Sequence, residues 1–70
     1  MQKDLVTVEY LRADDPDQLI GAVYVPRKTS RDAAIAIGRA IVKALGMDAV
    51  LASFQDRYGN TVEIMRVNRR

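Results

Sequence analysis

Seventy residues with a net charge of +2, 49% apolar and 29% charged, describe one small globular domain near the lower size at which a single core suffices. The chain has no cysteine and no histidine, which excludes a disulfide-braced core, a thiol nucleophile, a His-based triad and any Cys/His zinc or haem site. No apolar run is long enough to span a bilayer and no signal-peptide pattern follows Met1, so a cytoplasmic chain without membrane contact is expected.

Residues 4–12 alternate and read as a strand, with Val6, Val8 and Tyr10 on one face and Thr7 and Glu9 on the other. Residues 13–18 read as a loop, because Pro16 and the clustered Asp14, Asp15 and Asp17 break both strand and helix. Pro16 interrupts the three carboxylates and no calcium-loop spacing follows, so they read as a solvated loop and not as a cation site. Residues 19–25 form the most apolar strand, ended by Pro26. It is apolar on both faces, which predicts a central position or a cover from elsewhere.

Residues 30–46 read as the only helix. Thr29 or Ser30 can cap its N-terminus, Asp32 and Lys43 suit the dipole at the two ends, and Gly46 is placed for a left-handed stop. At about 100° per residue, Ile37, Ile41, Ala34, Leu45, Ala44 and Ala33 make an apolar face opposite Asp32, Arg39 and Lys43. Ile35 and Val42 fall outside that stripe. Ala33, Ala40 and Ala44 form a small-residue edge, and Ala34 and Gly38 would also let another backbone come close.

The segments before and after Arg57-Tyr58-Gly59 read as a hairpin, 49–56 with 60–67, in which Gly59 takes the left-handed position that glycine adopts at little cost. This sets Asp56 opposite Asn60, Phe54 opposite Val62 and Ala52 opposite Ile64 beneath the helix. Leu51, Met65 and Val67 then fall on the far face as an apolar patch.

The expected architecture is α+β, a single domain over 1–70. Its order is β-β-α-β-β, a four-stranded, mainly antiparallel sheet with one helix packed on one face. Two strand orders stay open. In 2-1-3-4 all neighbours are antiparallel and the apolar second strand lies at an edge; in 1-2-3-4 strands two and three are parallel and central. An apolar edge is one that natural proteins usually protect, and a dimer joining two such edges would do so.

Charge is uneven along the chain: residues 1–26 balance at −3 and residues 27–70 at +5. Folding brings much of it back together, with the tail arginines beside the acidic loop. Arg27, Lys28 and Arg31 remain around a helix N-terminus, whose free amides favour anions.

These features point first to a non-enzymatic protein-interaction module, an adaptor, inhibitor or subunit, of the size common among small bacterial or phage proteins. It would need no cofactor and would bind itself as a homodimer, another protein, or both. Ile35, Val42, Leu51, Met65 and Val67 are the interface candidates, being apolar where one monomer's core does not require it. The alternative is nucleic-acid binding through Arg27, Lys28, Arg31, Arg39, Lys43, Arg57, Arg66, Arg69 and Arg70. A small-ligand binder or enzyme ranks third.

Overall fold

Period-two alternation of apolar residues builds four strands, and the one segment of helical period lies between the second and third. The computed structural model describes residues 4–69. Its elements are β1 (Leu5–Arg12), β2 (Leu19–Pro26), a 3-10 turn (Arg27–Thr29), α1 (Ser30–Leu45), β3 (Ala49–Gln55) and β4 (Thr61–Asn68). The sheet order is β2-β1-β3-β4 with every neighbouring pair antiparallel, so β2 and β4 are the edges. Of the two orders left open by the sequence, this is the one that puts the most apolar strand outside.

α1 covers one face of the sheet. Beneath it lie Val8 and Tyr10 of β1, Val25 of β2, Val50, Ala52 and Phe54 of β3 and Val67 of β4, all buried, with Val6, Val23 and Met65 packed at the margin. A fully buried valine contributes about 1.5–3 kcal/mol. The Tyr10 hydroxyl, buried in this layer, donates to the Ala34 carbonyl at 2.9 Å.

The helix begins and ends by different means. No side chain caps its N-terminus; the chain enters through the 3-10 turn, and the Ser30 amide donates to the Arg27 carbonyl. At the other end Gly46 is left-handed (φ 64°), and the amides of Gly46 and Met47 donate to the carbonyls of Lys43 and Val42. That pattern is a Schellman stop.

Two expectations change here. First, the buried line of α1 is Ala34, Gly38 and Val42, with Ile37 and Ile41 half-buried beside it. The buried line is thus rolled by roughly 80° from the stripe centred on Ile37 and Ile41. Size complementarity decides this: small residues sit where the backbone meets large sheet residues, and a Cβ on Gly38 would lie 3.0 Å from both methyls of Val67. Second, the β3–β4 register slips by one residue. The turn is as expected, with Gly59 at φ 84°, the Asp56 amide donating to Asn60 and Gln55 paired with Thr61, but the next pair is Phe54 with Glu63. Val62 is the extra, bulged residue. A one-residue slip exchanges the faces of everything beyond it. Val50 now opposes Val67 and Ala52 opposes Met65 on the covered face, while Ile64 opposes Ser53 on the open one.

Candidate interaction surface

The face of the sheet away from the helix carries the alternate residues of each strand, and the register arranges them in rows. One row is Tyr24, Thr7, Gln55 and Thr61; the next is Ala22, Glu9, Ser53 and Ile64. The third is Leu19, Leu11, Leu51 and Arg66. The turn end of this face is therefore polar, with the Ser53 and Thr61 hydroxyls 3.1 Å apart. The opposite end is a leucine row crossing three strands. Leu19, Tyr24 and Ile64 are 57%, 65% and 57% exposed, so none of them is covered by the described residues.

The five interface candidates separate. Leu51 lies half-buried in the leucine row, and Ile35 is half-buried on the helix flank. Val42 and Val67 are core residues, 0% and 3% exposed, and Met65 packs against the same core under α1. The helix roll moves Val42 inward, and the bulge at Val62 moves Met65 and Val67. In the folded chain Val42 and Val67 are closed to a partner, and Met65, half-buried, faces the core and not the open side of the sheet. Leu11, Leu19, Tyr24 and Ile64 take their place. Leu11 was legible as the next member of the Thr7–Glu9 alternation; Ile64 was not, because its face depends on the bulge.

The basic residues are only partly brought together. Arg27 and Arg57 line one open cleft with Leu5, Asp56 and Tyr58, and Lys28 and Arg31 follow on the adjoining turn. Arg31 is held by Glu63 at 2.7 Å, across from α1 to β4. Arg66 donates through Nε to Asn68 at 2.9 Å. Arg39 and Lys43 point to solvent on the outer side of α1, Arg69 follows β4, and Arg70 lies outside the described residues. At the other end of the domain Arg12, Asp14, Asp48 and Arg66 line a cleft of mixed charge. The expected cancellation of charge in space is visible there.

Two carboxyl groups are held below their ordinary range. The Arg12 guanidinium, hydrogen-bonded in a fork at 2.9 and 2.7 Å, lowers Asp14. The Asn60 amide, helped by that of Tyr58, lowers Asp56. Both are stabilised as anions, the opposite of what a general acid requires. Among the described residues no group of three or more Asp, Glu, His or Cys is placed to hold a metal ion, and no helix is long and apolar enough to cross a membrane.

The comparisons with known proteins find no match: no family model, no curated protein and no solved structure is significantly similar to this chain.

Proposed function

We propose that this chain is a small non-enzymatic protein-interaction module that self-associates as a homodimer and offers the open face of its sheet to a protein. The observation that supports it is apolar surface that the described residues leave open, above all the row Leu19–Leu11–Leu51, with Ile64 in the next row and an exposed Tyr24 further along the β2 edge. A row of exposed and half-buried apolar side chains gathered on one face is a candidate contact site.

Light scattering across a concentration range, at low and high salt, tests the reading. A dimer that persists at high salt supports it, since apolar burial is insensitive to screening. A monomer at every concentration overturns the self-association. For the open face, Leu51→Lys is expected to leave the fold intact and to reduce binding of an apolar-surface dye; unchanged dye binding would mean the leucine row is not an accessible surface.

Nucleic-acid binding remains the second reading, supported by the cleft that Arg27, Arg57 and Tyr58 share. A fluorescent oligonucleotide titration separates the two, because phosphate binding falls steeply with salt.

A further inference from the structure

The two edges of the sheet are built differently. β4 carries Glu63 and Arg66 and a bulge at Val62, features that deter a foreign strand. β2 carries no charged residue in its eight positions. Its irregularity at Ile20 and its terminal Pro26 confine regular edge to Gly21–Val25.

The hydrogen-bonding polarity of that edge follows from its pairing with β1. The Arg27 amide donates to Asp4 at 2.8 Å, which makes Asp4–Arg27 a hydrogen-bonded pair. Bonded pairs alternate along an antiparallel ladder, so Val25, Val23 and Gly21 turn their backbone groups toward β1. Ala22 and Tyr24 therefore turn their N–H and C=O groups outward, and both residues are exposed.

We infer that the occupant of this edge is a second copy of the chain, its β2 antiparallel to the first about a two-fold axis at Val23, joining two sheets into one of eight strands. This deepens the self-association reading and rests on it. In that register Ala22 stands opposite the partner's Tyr24 and exchanges both backbone hydrogen bonds with it, and the symmetric pair does the same. Side chains also fall on matching faces: Ala22 with the partner's Tyr24 on the open face, Gly21 with the partner's Val25 on the covered face. Moving the axis to Ala22 would set Tyr24 opposite the partner's Ile20, which packs on the covered side, and the pleat would not match. Moving it to Tyr24 would set Ala22 opposite the partner's Pro26, which has no N–H to give.

Charge independently selects the same arrangement. The strand is preceded by Asp15 and Asp17 and followed by Arg27 and Lys28, all exposed and none in an ion pair among the described residues. Antiparallel self-pairing lays the acidic end of each strand beside the basic end of the other, Asp17 near the partner's Lys28. Parallel pairing would lay like on like.

The test is made on the full chain. Amide exchange by NMR at increasing concentration should protect the Ala22 and Tyr24 amides in step with the dimer fraction measured by sedimentation. Asp17→Lys and Lys28→Asp should each raise the dimer Kd by about 3- to 10-fold at low salt, as two symmetric exposed ion pairs are lost, and the double swap should restore it. A dimer whose Ala22 and Tyr24 amides exchange freely, or whose Kd ignores the swaps, overturns the β2 seam and leaves self-association standing. A chain that is monomeric throughout overturns both.

Discussion

Gly38→Ala is the sharpest probe of how α1 sits on the sheet. In a helix interior the substitution should be favourable by about 1 kcal/mol, because alanine restricts the unfolded chain and suits the helix. Here the added Cβ would lie 3.0 Å from Val67 Cγ1, 3.0 Å from Cγ2 and 3.1 Å from Cβ. Because both methyls and the carbon bearing them are close, turning the Val67 side chain does not relieve the contact, and Val67 is only 3% exposed. Helix and strand must separate locally, a form of overpacking that costs about 1–3 kcal/mol and is expected here in the upper half of that range. The net expectation is a loss of about 1–2 kcal/mol, a fall in urea midpoint of about 0.3–2 M at the m-values of small domains. Urea unfolding followed by circular dichroism reads this directly. The double variant Gly38→Ala/Val67→Ala identifies the cause: with the methyls gone, the introduced alanine should regain its propensity advantage, so the two changes should be strongly non-additive. A Gly38→Ala protein more stable than its parent would refute the close approach, and strict additivity would refute its assignment to Val67.

Two further substitutions test other parts of the fold. Tyr10→Phe removes a hydroxyl that donates to the Ala34 carbonyl within the core and should cost about 1 kcal/mol in urea unfolding. Burial also raises the Tyr10 pKa above its ordinary 10.0, so in the parent the unfolded chain loses this proton first and stability falls as pH rises past that value; Tyr10→Phe should remove that component of the alkaline decline. At the β3–β4 turn, Asp56→Ala should accelerate exchange of the Tyr58 and Asn60 amides, which its carboxylate accepts from at 2.8 and 2.9 Å. Since those bonds hold the Asp56 pKa down, its contribution is present above the ordinary carboxyl value of 3.8 and is lost as pH falls through the lowered one. Urea midpoints measured between pH 5 and pH 2 should therefore drop less in the variant than in the parent.

The elements whose signals are local were legible. Gly46 and Gly59 each adopt the positive φ that their places after Leu45 and within the hairpin turn demanded. What escaped depends on fit between elements. The helix roll could not be read from hydrophobicity, because a stripe weighted by apolarity centres on Ile37 and Ile41, whereas close approach selects the smallest residues, Ala34 and Gly38. The bulge at Val62 left a trace that a longer look at the register reveals. Carried one pair beyond Ala52 and Ile64, the unbulged hairpin sets Arg66 opposite Val50 beneath the helix, a charge in the core. The structure opposes Val50 with Val67 instead, and turns Arg66 to the open face. Register should thus be judged along the whole strand, since a good turn fixes only the pairs nearest to it.

The edges give the charge imbalance of the chain a different meaning from the one its composition suggests. A basic excess in the later residues invites a phosphate backbone as partner, yet Arg31 is held by Glu63 and Arg66 by Asn68, and both of these arginines belong to the half of the fold that includes β4. β4 spends charge within the strand, where it keeps another strand away. Around β2 charge has been moved off the strand to its two ends, with opposite signs, and the strand itself left clean from Gly21 to Val25. A uniformly charged edge would repel every copy, and a neutral one would accept any strand in either direction. On the proposed pairing, an edge acidic before and basic after would accept its own antiparallel copy and resist the parallel one, so Asp15, Asp17, Arg27 and Lys28, part of the skew from −3 to +5, would also specify direction.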